Sequence, residues 1–502
     1  MTRAKKAFLT SMTSGLHQII AIICGFILPR LFLSYYGSSV NGLVSSITQF
    51  LGFISLAELG VGAVVQSSLY KPLAEKNTDQ ISKIFKSANH FFNIIGFILL
   101  IYTIGLMFIY PMIVIETYDY LYTALLILII SFSTFSQYYL GITYRMILGA
   151  DQYGFISQIL SCAALVLNTA LCFVFIRMSF SVHFVKCTSS IIFLIQPLVL
   201  MYIGKKKYKI NRKVIIEQEP IKQKWNGVAQ HIASVVNNNT DVLVLTLFSD
   251  LKTVSVYSVY HLVVNGVKNI VNSFTSGFIA LFGNMLAKNE RDVLNRTFTY
   301  FEWVIHTVTT IAFSLTGVLL LPFVKIYTSG INDVNYIVPS FAVLITAAQA
   351  AYCLRLPYNI MTMAAGHYKQ TQTSAIVEAL LNIIVSVLFV FKYGLIGVAI
   401  GTLSAMIYRT IYLAVYISKN IINRKMSHFI KHIGIDVLTA LFIGIISLFI
   451  NIDANAIPSW IFSALIWTLI CLFVSLIINY IFYHDLVISF IKKLFKRKDR
   501  LI

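Results

Sequence analysis

Charge is scarce in this chain, and negative charge scarcest. Only 12% of its 502 residues are Asp, Glu, Lys or Arg, and only 19 are acids. A soluble globular chain carries roughly 25% charged residues. With 58% hydrophobic residues and a mean hydropathy of +0.80, the composition excludes a soluble fold and implies a polytopic membrane protein. Catalytic signatures are also missing. No G-x-x-x-x-G-K-[ST] segment occurs, so the chain has no P-loop of its own with which to hydrolyse ATP. No H-E-x-x-H occurs, and the ten histidines are scattered. The six cysteines (Cys24, Cys162, Cys172, Cys187, Cys353 and Cys471) all lie in apolar segments without metal-ligand spacing. They read as small buried hydrophobes, with no disulfide or metal expected. A cleavable signal peptide is not expected either. Arg3, Lys5 and Lys6 precede a full-length apolar run that continues without an A-x-A site.

What is there is a series of long apolar runs. A helix needs ~20 residues to cross a bilayer. Fourteen spans are predicted, at about 15–33, 42–70, 89–109, 118–138, 155–176, 184–203, 227–248, 254–286, 298–323, 336–361, 371–391, 394–417, 430–450 and 458–482. The polar stretch Ser38-Ser39-Val40-Asn41-Gly42 reads as the turn between the first two. Of the loop cations, only Arg177, Lys186, Lys252, Lys325 and Lys392 fall on the side opposite the N-terminus. The other loop cations share the N-terminal side, which the positive-inside rule assigns to the cytoplasm, together with the C-terminus. The net charge of +20 therefore reflects topology and lipid head groups, not nucleic acid. The outer loops are short, which counts against a catalytic domain there.

The sequence repeats weakly within itself. At a shift of 213 residues, Leu73-Ala74 falls on Leu286-Ala287, Asp79 on Asp292 and Phe85 on Phe298. At 215, Met146, Ala150 and Tyr153 fall on Met361, Ala365 and Tyr368. The expected architecture is all-α, with two pseudo-symmetric six-helix lobes and two extra C-terminal helices. The lobes are residues 1–203 and 227–417. The basic segment 204–226, with Lys205-Lys206-Lys207, links them on the cytoplasmic side, and 418–502 holds the extra helices and a basic tail. Repeated halves are common in transporters, with the substrate site at their interface.

Polar side chains inside the spans follow helical spacing. One stripe is Thr48, Gly52, Ser55, Glu58 and Gly62. A second is His261, Asn265, Lys268, Asn272 and Ser276, and a third is Gln230, Ser234, Asn237 and Asp241. Thr371, Ser374, Glu378, Asn382 and Ser386 form a fourth. Arg355 lies between Tyr352 and Asn359, with Pro357 to loosen the helix, and Arg409 lies beside Tyr408 and Tyr412. Ionisable groups at membrane depth usually face a bundle interior or a wet cavity. Two readings of these stripes stand. In one they line a hydrated cavity between the lobes, where Lys268, Arg355 and Arg409 meet an anion and Glu58, Asp241 and Glu378 gate it or couple it to H+ or Na+. In the other they are interhelical hydrogen bonds and ion pairs within a lobe, Glu378 with Arg409 among them. The repeat maps Lys268 to Ser55, one turn from Glu58, which favours the cavity for Lys268. Asn237, Asn265 and Asn272 would supply the cavity's neutral polar groups. Arg30 sits near a span end among apolar neighbours, where snorkelling to the interface is the plainer reading.

Three stretches carry a family likeness. They are Leu28-Pro29-Arg30-Leu31-Phe32-Leu33-Ser34-Tyr35-Tyr36-Gly37, Leu56-Ala57-Glu58-Leu59-Gly60-Val61-Gly62, and Tyr144-Arg145-Met146-Ile147-Leu148-Gly149-Ala150-Asp151-Gln152-Tyr153. With the six-plus-six-plus-two plan, the chain resembles the Wzx-type polysaccharide-repeat flippases of the multidrug/oligosaccharidyl-lipid/polysaccharide exporter (MOP) superfamily. The resemblance implies a V-shaped, MATE-like, alternating-access fold in the bacterial cytoplasmic membrane. It implies a substrate, an undecaprenyl-pyrophosphate-linked repeat unit moved from the inner to the outer leaflet for O-antigen, capsule or exopolysaccharide assembly. It also implies a polysaccharide polymerase and glycosyltransferases as partners, no cofactor, and a substrate role for Arg30. Glu58 stands where the family motif often has Asp. The span at 15–33 lacks the acid that multidrug relatives often place there. An ion-coupled multidrug or small-molecule antiporter on the same fold is the alternative reading, followed by a lipid-linked sugar polymerase or ligase.

Overall fold

The computed structural model describes residues 3–58, 61–211, 213–216, 228–275, 277–450 and 456–489. Every regular element among them is helical, as expected where backbone groups in a bilayer must be satisfied within their own segment. The chain divides into two compact units, Met1–Ser255 and Val256–Ile502.

The first unit opens with α1 (Arg3–Gly52), broken only at Gly37, where φ is 82° and ψ 176°. A side chain would clash in that conformation, so glycine is required there. The break replaces the expected turn at 38–42. Those residues are helical, and Ser38 and Asn41 are buried. A 3₁₀ segment (Phe53–Glu58) follows, then α2 (Val61–Glu75) and α3 (Thr78–Ile113). The Asn77 side chain caps α3 by accepting from the Gln80 N–H at 3.0 Å. Next come α4 (Tyr120–Ser136), a π-helical turn (Gln137–Gly141), α5 (Ile142–Ala150), α6 (Gly154–Arg177), α7 (Val182–Lys207) and α8 (Val228–Phe248). The core joins α1, α3, α4, α6 and α7 through Leu43, Ile47, Phe92, Leu126, Cys172 and Val185. The turn after α5 is tied by Asp151, which accepts from the Tyr208 hydroxyl at 2.7 Å and meets Lys207 Nζ at 3.0 Å. Lys6 Nζ lies over the Tyr153 ring at 3.7 Å and bonds the Asp151 carbonyl at 3.2 Å, so this motif fastens the start of α1.

The boundary between units falls at Ser255, beyond the basic segment where a lobe boundary was expected. The reason is visible on α8 and the first turns of α9 (Leu251–Ser273). Asn41 Nδ2 donates to Ser255 Oγ at 2.8 Å, and the Ser46 and Thr246 hydroxyls share a 2.7 Å bond. At Gly42, α1 meets the chain so closely that any Cβ would overlap the Leu251 carbonyl. Hydrogen bonds and close backbone approach hold α8 and the start of α9 to α1. Residues 217–227 and the basic tail from 490 lie outside the described residues.

The second unit holds most of α9 (Leu251–Ser273), then α10 (Phe278–Ala287), α11 (Arg291–Tyr327), α12 (Pro339–Leu354), α13 (Leu356–Ala364), α14 (Gln372–Tyr393), α15 (Leu395–Asn420), α16 (Ser427–Phe449) and α17 (Ile457–Phe482). The helix breaks at Arg355, two residues before Pro357, because proline cannot donate the next intrahelical bond. Its core gathers Phe282, Phe298, Ile305, Tyr358, Leu413 and Ile417. On α17, Leu469 and Phe473 are 68% and 66% exposed, an apolar face that suits lipid.

Twelve helical stretches among the described residues are long and apolar enough to cross a membrane, where fourteen spans were expected. The first expected span and the first part of the second fall in one stretch, Leu9–Ala57, because α1 continues past Gly37. The seventh is absent from the twelve because α8 carries Asn237-Asn238-Asn239-Thr240-Asp241 at its centre. Cys187 also departs from expectation. It is exposed on α7 beside the exposed Phe184, while the other five cysteines are buried.

Candidate anion site and a second buried polar network

In the second unit four predicted residues come together, two arginines on one acid with a lysine nearby. Arg355 sits at the α12–α13 break, Glu378 on α14 and Arg409 on α15. Their residues are 9%, 3% and 4% exposed. Arg355 Nη1 pairs directly with Glu378 Oε1, and Arg409 Nε stands 3.6 Å from Oε2. Arg409 also donates to the Thr371 carbonyl at 3.0 Å and to the Ser374 hydroxyl. Two guanidinium groups thus share one carboxylate, leaving one positive charge in excess. Lys268 on α9 adjoins them and is buried. Its Nζ is 5.2 Å from the centre of the Tyr352 ring, and the Arg355 guanidinium is 4.6 Å from the same ring. Aromatic faces attract cations, so Tyr352 gathers both. Behind this group, Asn382 is fully buried and accepts from the Ser386 hydroxyl at 3.2 Å.

The expected ion pair of Glu378 with Arg409 is therefore present as the looser half of a triad. Spacing along single helices could not show that Arg355 takes the closer place. Asn265 and Asn272 are half-buried on α9, and Ser276 lies outside the described residues. In the first unit, Arg30 is half-buried on α1, Asn237 is half-buried on α8, and Asp241 is 2% exposed. The Glu58 side chain lies outside the described residues.

A second polar network in this unit was missed by the sequence reading. Glu302 and His306 on α11, Tyr358 on α13, and His432 and Asp436 on α16 are all buried. Arg424, between α15 and α16, forks onto Glu302, with Nη1 to Oε2 at 2.6 Å. Tyr358 donates its hydroxyl to Glu302 at 2.6 Å. His306 meets Asp436 through Nδ1 at 2.6 Å and the Tyr358 oxygen through Nε2 at 3.2 Å. Thr310 donates to the other Asp436 oxygen at 2.7 Å. Burial works to lower the charge of Arg424, but its bonds to Glu302 outweigh that and hold the guanidinium above its ordinary range. The signal that could have found the network is two more stripes, Glu302/His306 and His432/Asp436, each at a step of four.

The fold has known relatives. The structure superposes on the inward-closed form of the lipid II flippase MurJ with a TM-score of 0.70, at 18% identity, over 96% of this chain and 100% of that one. The chain has the fold of MOP-superfamily transporters. An inward-facing MATE-family multidrug transporter of the MOP superfamily matches at 0.57 and 14% identity, over 79% of this chain and 95% of that one. The Vibrio cholerae MATE transporter VcmN, in its bent form, matches at 0.54 and 13%, over 83% and 97%. No protein-family model and no curated protein sequence matches the chain. This fold is thus found both in a lipid II flippase and in a MATE-family multidrug transporter.

Proposed function

We propose that this protein is a flippase for a lipid-linked oligosaccharide with an anionic head group, an undecaprenyl-pyrophosphate-linked repeat unit, moved from the inner to the outer leaflet by alternating access. The observation that carries the reading is the Arg355–Glu378–Arg409 triad with Lys268 beside it. Two guanidinium groups share a single carboxylate in an apolar bundle, so the site favours an anion. A pyrophosphate offers oxygens that guanidinium groups bind in pairs. It would compete with Glu378 for Arg355 and Arg409, and the released carboxylate would be free to take up a coupling ion, H+ or Na+. In the first unit, Arg30 would add a further cation, while Glu58 and Asp241 would serve in gating or ion coupling. Asn237, Asn265 and Asn272 would hydrogen-bond sugar hydroxyls that hydrocarbon would leave unsatisfied.

On this reading the protein is a multi-pass component of the bacterial cytoplasmic membrane with both termini inside. It hands its product to a polysaccharide polymerase and receives it from glycosyltransferases, and it is not itself an enzyme. The MATE transporters of the same fold favour a second reading, a drug or small-molecule antiporter. A cationic drug would call for acids, whereas arginines outnumber acids at the triad. Depleting the protein and assaying which leaflet holds the complete lipid-linked oligosaccharide tests the choice. Retention on the cytoplasmic side supports flipping, and drug sensitivity without retention contradicts it.

A further inference from the structure

Hydrogen-bond direction fixes the proton count in the second network. A carboxylate can only accept, so the Tyr358 hydroxyl, 2.6 Å from Glu302, gives its proton to that acid. Its oxygen then faces His306 Nε2 as an acceptor, which requires a proton on Nε2. At the other ring nitrogen, Nδ1 is 2.6 Å from an Asp436 oxygen, and one proton must lie between them. The two sites together hold one proton more than a neutral imidazole and a carboxylate would. Either His306 is an imidazolium on ionised Asp436, or Asp436 is protonated and donates to neutral His306.

We propose that the His306–Asp436 pair is a proton-binding site that exchanges its proton through Tyr358 and Glu302. Charge balance gives the reason for binding. With the proton present, Glu302, Arg424 and the His306–Asp436 pair sum to zero in an apolar bundle. Without it the network carries one buried negative charge, which is costly. Release has a balanced path. The Nε2 proton passes to the Tyr358 oxygen as the Tyr358 hydroxyl proton passes to Glu302. Tyr358 ends as a hydroxyl turned toward Nε2, and Asp436 keeps its bond to Nδ1–H. His432 stands next, with Nε2 3.5 Å from Glu302 and Nδ1 2.6 Å from the Tyr483 hydroxyl. The half-buried Tyr483 marks the end of α17, where Lys431 lies 4.7 Å over its ring. The path therefore runs from a closed interior to a helix end.

As the proton that drives transport, it rests on the flippase reading. As a binding site, it is tested without substrate. Trp303 lies one turn before His306 and donates to Asn479 at 2.7 Å, so it reports on this region. Full-length protein with Trp225, Trp460 and Trp467 changed to Phe is titrated in lipid nanodiscs from about pH 4 to about pH 9, a window that brackets the usual histidine range. The expected result is a one-proton step in Trp303 emission that is lost in His306→Gln and in Asp436→Asn. Tyr358→Phe keeps the pair but removes the acceptor for Nε2–H, so the midpoint of the step moves. Should the first two variants fail to fold, infrared pH-difference spectra of the unmutated protein, with and without ring-labelled histidine, read the same step. No step in the unmutated protein, or one that persists in folded His306→Gln, overturns the proposal. Either failure leaves the flippase reading standing, because no substrate enters the measurement.

Discussion

Glu378 decides how the two arginines of the triad behave. Arg355→Gln leaves Glu378 with only the 3.6 Å contact to Arg409. Breaking a buried ion pair from one side costs about 3 to 5 kcal/mol. The variant should therefore unfold earlier in a thermal scan of detergent-solubilised protein. Arg355→Gln combined with Glu378→Gln should recover most of that loss, because no unmatched acid remains. Full additivity of the two losses would show that the pair is not coupled. Lys268 is a different case, since on the proposed reading its place beside Tyr352 serves the substrate. Lys268→Glu should abolish export while membrane insertion and expression stay normal. Full export by a well-expressed variant would remove Lys268 from the site. The stripes holding Lys268 and Glu378 were legible because spacing along one helix shows a shared face. Which arginine takes the acid first was not, because that depends on the backbone break at Arg355.

At the scale of elements, the same limit explains the missed network. Glu302 and His306 share a face of α11, and His432 and Asp436 share a face of α16. Their meeting is a contact between helices 130 residues apart. Gly37 teaches the complementary lesson. A polar run at 38–42 reads as a turn, yet Asn41 and Ser46 spend their polarity on Ser255 and Thr246, so the backbone there stays helical. That contact is testable. Gly42→Val places side-chain atoms where the Leu251 carbonyl stands, and overpacking of this kind costs about 1 to 3 kcal/mol. The apparent melting temperature should fall, whereas Asn41→Ala, which adds no bulk, should lower it less. Equal effects would mean that the close approach contributes nothing. The α11–α17 contact through Trp303 and Asn479 should be weaker still. A polar contact between membrane helices contributes about 0.6 kcal/mol on average, so Asn479→Leu should barely move the melting temperature.

For the whole molecule, hydropathy and the cation pattern were enough to anticipate an all-helical membrane protein, because few other folds tolerate so little charge. The number of spans was less legible, since α1 runs on past Gly37 and α8 is polar at its centre. The fold is shared with a lipid II flippase and with multidrug transporters, so fold alone leaves the cargo open. On the proposed reading, the buried cations meet an anionic lipid head group and not a cationic drug. The decisive measurement is the sidedness of the complete lipid-linked oligosaccharide in host membranes before and after depletion of this protein. A flippase predicts that the complete unit accumulates on the cytoplasmic leaflet, and that it returns to the outer leaflet when the unmutated protein is restored but not with Lys268→Glu. Unchanged sidedness on depletion would contradict the account. A unit that reaches the outer leaflet yet stays unpolymerised would contradict it too, and would point to a polymerase or ligase instead.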